Sequence, residues 1–161
     1  MRRPMIWAFV ANLALQLISL RILPAVVAIH FGGAGWPDAW ASKWINALLV
    51  MLIEATVFAV ILSAPRLSLS IPVKWGTLSY RQCCPTPEDR AELEARFAHL
   101  MYEFGLALFV FLFLVGVLTL AANLSEPVRL NEPLMLAGSA GYLLYVAYWV
   151  VKLVRQLKAV R

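Results

Sequence analysis

The stretch Ile45–Ala64, INALLVMLIEATVFAVILSA, decides the fold. It runs for 20 residues with one charge, Glu54, at its centre. About 20 residues of helix cross a hydrocarbon core roughly 30 Å thick. No water is present there to satisfy a bare backbone, so a run of this kind is expected to be a helix.

Three similar runs flank it, giving expected spans at about 5–23, 45–64, 101–122 and 134–153. The first is short unless it extends through Arg21, whose long side chain can snorkel toward water. Arg2 and Arg3 before it, and Val26-Val27-Ala28 after it, would also suit a cleaved signal peptide. Asn12 and Gln16 interrupt the apolar stretch and favour a retained span. The chain is 62% hydrophobic and 14% charged, with a mean hydropathy of +0.77. Soluble domains are nearer half apolar and a quarter charged, so a lipid bilayer is the expected surroundings. The expected fold is therefore all-α: a four-helix transmembrane bundle forming a single domain over residues 1–161.

The basic residues orient it. Eleven Lys and Arg residues lie before the first span, between the second and third, or from Lys152 at the end of the fourth onward. Three lie toward the other side: Arg21 at the end of the first span, and Lys43 and Arg129 in the remaining loops. The side richer in Lys and Arg is expected to be cytoplasmic, which places both termini inside a bacterial inner membrane. Outer loops then cover 24–44 and 123–133, and an inner loop covers 65–100. The net charge of +5 follows this asymmetry. It comes with no groove-reading helix or aromatic-basic face, so nucleic acid is not an expected partner.

In the inner loop, Thr86-Pro87-Glu88-Asp89 reads as an N-cap, a proline at the first helical position and acids in the first turn. Leu93, Phe97 and Leu100 recur at helical spacing, and Glu92 pairs with Arg96 at i, i+4. The expectation is an amphipathic helix along the inner membrane surface that runs into the third span. Leu67–Ile71 alternates like a short strand but meets Pro72, and no strand is assigned. Cys83 and Cys84 are adjacent and lack redox or zinc spacing, so they read as free thiols.

Glu54 is the first candidate functional residue. A charged acid at a helix centre costs about 2.5–3.5 kcal/mol on insertion scales, so it must be protonated, paired or facing a polar cavity. Asn12, Gln16 and Ser19 share a face of the first span, and Asn12 and Gln16 reach a similar depth. An intramembrane polar cluster of Glu54, Asn12 and Gln16 is expected. It would serve either as a proton or cation site or as interhelical glue.

The first outer loop is the second candidate. Gly32, Gly33, Gly35 and Pro37 imply a tight turn. Across it His30 and Asp38 can meet in a hydrogen bond or ion pair, and two ligands make a poor metal site. Trp36, Trp40 and Trp44, four apart, would share one face of a helical segment as interfacial anchors. In the fourth span, Ala137-Gly138-Ser139-Ala140-Gly141 allows close helix packing, within the chain or in a homo-oligomer. His99 and Glu103, one turn apart, can pair. No nucleophile elbow, HExxH or phosphate loop is present, so neither enzymatic activity, nor a cofactor, nor a metal is expected.

The loop also carries a resemblance. Leu23, Pro24, Val27, His30, Phe31, Gly35, Pro37, Asp38, Trp40, Ser42 and Lys43 follow in order directly after a span. They resemble the signature of a small bacterial membrane domain of unknown function that also forms the N-terminal part of SdpI-type immunity proteins. Ala122-Asn123-Leu124 and the basic C-terminus resemble its stand-alone members as well. Where those members carry an Asn-rich segment and Ala-Pro-Glu-Arg, this chain has Ile71-Pro72-Val73-Lys74-Trp75 and Cys83-Cys84-Pro85. A loop this ordered on the outer face is a candidate recognition surface, with the signature residues Pro24, His30, Phe31, Gly35, Pro37, Asp38, Ser42 and Lys43 as its members. SdpI-type proteins confer immunity to a secreted toxin. Three functional readings stay open: partner or peptide binding through this loop, including toxin sensing or immunity; a small proton-coupled transporter using Glu54; and an accessory subunit of a membrane complex.

Overall fold

The structure is a computed structural model that describes residues 1–70 and 86–158. Cys83, Cys84 and the segment 71–75 lie outside the described residues. The described residues form four α-helices: α1 Arg2–Ile22, α2 Lys43–Ser70, α3 Pro87–Leu124 and α4 Glu132–Lys158. All four are long and apolar enough to cross a membrane, the apolar stretches being Arg2–Ile22, Lys43–Pro65, Ala91–Leu124 and Glu132–Gln156. The all-α, four-helix membrane bundle expected from the sequence is what the chain forms.

Helix α1 stops where Pro24 disfavours helical backbone at the residue before it. Leu23 is extended there, and its N–H bonds the Ser19 carbonyl at 2.9 Å. The next segment departs from expectation. Residues 24–44 hold an antiparallel hairpin: β1 Val26–Phe31, a short 3-10 turn at Gly33–Gly35, and β2 Pro37–Ser42. The β-branched Val26, Val27 and Ile29 suit a strand. Trp36, Trp40 and Trp44 therefore do not share a helical face: Trp36 follows the turn, Trp40 sits on β2, and Trp44 opens α2. All three are exposed.

Helix α2 continues through Ser70, so Leu67–Ser70 is helical and not strand-like. It tolerates Pro65, which removes one backbone donor from its ladder. Helix α3 begins with the expected N-cap at Thr86, which forms a full capping box. Thr86 Oγ accepts from the Asp89 N–H, and the Asp89 carboxylate accepts from the Thr86 N–H. Arg96 and Glu92 pair at 2.6 Å. The amphipathic segment runs into the third span as expected, forming the first turns of one continuous 38-residue helix. At 1.5 Å per residue that helix is about 57 Å long, well beyond the core of a bilayer.

Helix α3 is the spine of the bundle and packs against the other three helices. Toward α1 and α2 the core is Met5, Ile61 and Phe109. Phe9 stacks on Phe58 at 4.2 Å, and both meet Phe109 edge-on. Gly105 permits this approach, since a Cβ there would sit 2.7 Å from the Met5 sulfur. Helix α4 lies on the other side of α3. Tyr142 stacks on Phe111 at 4.5 Å, Gly138 admits Leu114, and Trp149 Nε1 donates to the Leu100 carbonyl at 3.0 Å. Gly141 faces open space. The outward surface is apolar: Leu48, Leu52, Leu143 and Leu144 are each at least 60% exposed. Exposed apolar area on this scale is stable only against lipid or a partner.

The hairpin and the loop entering α4 share one end of the bundle. The start of α1 and the end of α4 lie at the opposite end.

Candidate functional site

The site is built around the hairpin and the space beneath it. The register pairs Val26 with Ser42 and Phe31 with Pro37, with irregularities on either side of His30. His30 Nδ1 and Asp38 Oδ1 lie 2.5 Å apart and tie the strands together on an exposed surface. The turn between them needs left-handed backbone at Ala34 and Gly35, where φ is 59° and 75°. At Gly35 only glycine fits, because a Cβ would run into the Leu130 carbonyl oxygen.

The loop before α4 clamps this turn. The Leu130 N–H bonds the Gly35 carbonyl at 2.9 Å, and Arg129 Nε donates to the Ala34 carbonyl at 3.0 Å. The Arg129 guanidinium stands 5.3 Å from the centre of the Trp36 ring, within cation–π range. A second clamp comes from the end of α3. Asn123 Oδ1 accepts from the Ala28 N–H at 2.7 Å, and Asn123 Nδ2 donates to the Ala28 carbonyl at 3.0 Å. One side chain thus satisfies both backbone groups of a buried strand residue. A third tie is Lys43, whose N–H bonds the Ala25 carbonyl and whose Nζ donates to the Leu23 carbonyl at 2.8 Å. Pro24 ends α1, Pro37 opens β2, and Ser42 closes it.

A partly open cavity of about 290 Å³ runs from the hairpin toward mid-span. Leu23, Ile29 and Lys43 line it at the hairpin end, and Gln16 and Glu54 at depth. Its remaining walls are mostly aliphatic, with Asn46, Ser19 and Thr119 the further polar residues. Ser19 is committed to the Leu15 carbonyl. Gln16 and Glu54 make no side-chain hydrogen bond among the described residues. Glu54 is 3% exposed, and its Oε2 is the one buried side-chain polar atom without a partner among the described residues.

The expected cluster is thus only partly assembled. Gln16 and Glu54 reach one cavity, but Asn12 does not line it. Asn12 Nδ2 donates to the Ala8 carbonyl at 2.9 Å and to the Phe109 carbonyl on α3 at 2.8 Å. Its role is to bind α1 to α3. Sequence reasoning missed Asn46 and Lys43 as cavity residues, although Lys43, Asn46, Val50 and Glu54 follow helical spacing on α2. It also missed Asn123 as a clamp. At the opposite end, His99 Nε2 pairs with Glu103 Oε1 at 3.2 Å, and Lys152 Nζ reaches Glu103 Oε2 at 2.5 Å. Among the described residues, no group of three His, Cys, Asp or Glu side chains could hold a metal.

The arrangement offers two kinds of chemistry. The hairpin presents a fixed surface of Ile29, His30, Trp36 and Trp40, all exposed. The cavity offers one unpartnered carboxyl in apolar walls, which can exchange a proton or hold a cation.

Residues 7–55 match the family model described as Domain of unknown function (DUF1648). The match begins at Trp7 in α1, takes in the whole hairpin and ends one residue past Glu54. It covers somewhat under a third of the chain, and both the hairpin and the α1–α2 walls of the cavity lie inside it. No curated protein and no solved structure matches the chain.

Proposed function

We propose that this multi-pass membrane protein is a non-enzymatic recognition protein that binds a partner protein or peptide through its hairpin face. The observation that carries the reading is the double clamp. Asn123 fixes Ala28, and Arg129 with Leu130 fixes the turn, while Ile29, His30, Trp36 and Trp40 stay exposed. A surface ordered before its partner arrives loses less conformational entropy on binding. Aromatic side chains on such a surface are favoured anchors. The Lys and Arg distribution supports a bacterial inner-membrane location with the hairpin outside and both termini in the cytoplasm. Toxin sensing or immunity would be one instance of this role, and an accessory subunit of a membrane complex another.

Photo-crosslinking from Ile29 or Trp40 in native membranes tests it, with mass spectrometry of what is captured. The control is the double variant His30→Ala/Asp38→Ala, provided that it inserts normally. A defined partner captured by the wild type and lost in the variant supports recognition. Capture that ignores the hairpin removes it.

A second reading, a small proton-coupled transporter, is favoured by a different observation: the unpartnered Oε2 of Glu54 beside a cavity that leads to the hairpin end. Acid-driven flux into liposomes, compared between wild type and Glu54→Gln, tests that reading.

A further inference from the structure

We propose that the cavity beneath the hairpin is a binding site for a small organic ammonium ion with an apolar body, held by the Glu54 carboxylate. The inference rests on the second reading above and names its substrate class.

Buried polar groups in folded proteins almost always have a partner, and an exception calls for an explanation. Here Asn12, Ser19 and Asn123 are all satisfied by backbone carbonyls or N–H groups. Glu54 Oε2 is not. The nearest candidate within the site is Lys43, which lines the same cavity. It stands eleven residues away on α2, about 16 Å along the helix, and its ammonium already donates to the Leu23 carbonyl. Among the described residues, none supplies a cation to Glu54. The complement comes from outside, as a proton or as a ligand.

The walls decide the class of ligand. A dehydrated metal ion needs several oxygen ligands, typically about six. The cavity offers one carboxylate and the amide oxygen of Gln16 at that depth. Its remaining surface is mostly aliphatic, with Leu20, Val50, Ile53, Leu112, Val115 and Leu120, which suits hydrocarbon. A space of about 290 Å³ is more than a proton requires and fits a compact molecule. A primary ammonium group has three N–H donors. Glu54 and Gln16 can accept from it at depth, while an alkyl or aryl body lies against the aliphatic walls toward Asn46. Burial away from water strengthens that ion pair. Protons compete for the same carboxylate, and Lys43 is the other titratable residue along the lining.

The test is equilibrium binding of benzylammonium to the full chain in lipid nanodiscs by calorimetry, with benzyl alcohol as the neutral isostere. The expected result is saturable binding of benzylammonium, and only partition of benzyl alcohol into lipid. Glu54→Gln keeps the shape and removes the charge, and it should weaken binding by about tenfold or more. Val50→Phe keeps the carboxylate and fills the space, and it should do the same. Glu103→Gln, at the opposite end of the bundle, should bind as the wild type does. Elution profile and melting temperature report that each variant is folded. No saturable binding by the wild type overturns the proposal, as does wild-type affinity in Glu54→Gln or in Val50→Phe. Binding without gradient-driven flux keeps the site and removes the transport reading. Proton flux without ammonium binding does the reverse.

Discussion

Asn123, in the last turn of α3, hydrogen-bonds both backbone groups of Ala28, 95 residues earlier in the chain. The contact does what a neighbouring strand would do, and it does so from a membrane helix. Ala28 is fully buried, so its N–H and carbonyl cannot turn to water instead. Asn123 Nδ2 also donates to the Thr119 carbonyl, which fixes the direction of the amide. Replacing Asn123 with Ala should therefore leave two buried backbone groups unpaired, at a cost of about 1–3 kcal/mol for each group that finds no new partner. Hydrogen exchange at Ala28 checks this. Its amide should exchange faster in Asn123→Ala, with amides in the middle of α1 unchanged.

Gly35 makes a different demand. Its φ of 75° is a conformation that side chains rarely adopt, and the Leu130 carbonyl oxygen occupies the place of a Cβ. Gly35→Ala should cost about 1–3 kcal/mol through backbone strain alone, and it should also push the loop before α4 off the turn. A disulfide engineered between Ala34 and Leu130 would report the separation. It should form less readily in the Gly35→Ala background, whereas Gly33→Ala, which has open space at its Cβ, should leave it unchanged.

These two positions mark the limit of what the sequence makes legible. The spans can be read because twenty-residue apolar runs have one solution in lipid. The cap at Thr86 can be read because its partners lie three residues away. The hairpin is harder, since Val26–Phe31 is a short apolar run without clean alternation, and such runs do not distinguish strand from helix. Its clamps come from Asn123, Arg129 and Leu130, nearly a hundred residues on, and no local pattern encodes that distance. Glu54 is legible as an anomaly because a lone acid in an apolar run is costly. The split between Asn12 and Gln16 is not. Four residues turn a helix by about 400°, leaving the two side chains roughly 40° apart. That offset accompanies their separation, with Asn12 bonded to the Phe109 carbonyl of α3 and Gln16 in the cavity.

At the far end of the bundle, α4 is held to α3 by Glu103 and Lys152 at 2.5 Å and by the Trp149 indole on the Leu100 carbonyl. Both charged side chains are about three-quarters buried or more, so water screens the pair less than a surface one. A double-mutant cycle with Glu103→Gln and Lys152→Met should show a coupling of about 0.5–3 kcal/mol in unfolding assays in mild detergent. A coupling near zero would mean that helix packing alone, through Phe104 and Trp149, holds α4 in place.

Two of the three polar residues expected to share one cluster should behave in opposite ways. Asn12 bridges two helices, and its loss in Asn12→Ala should cost about 0.6–2 kcal/mol, the range found for interhelical hydrogen bonds in membranes. Glu54 has no partner among the described residues to lose. A neutral amide is easier to bury than a carboxylate. Glu54→Gln should therefore leave the bundle as stable as the wild type or make it more so. Measuring both variants under one unfolding protocol separates the structural side chain from the one kept for another purpose. Equal destabilisation of the two would place Glu54 with Asn12 as interhelical glue. A stable Glu54→Gln that loses ligand binding or flux would mean that the acid at mid-span is retained despite its energetic cost, because the protein uses its charge.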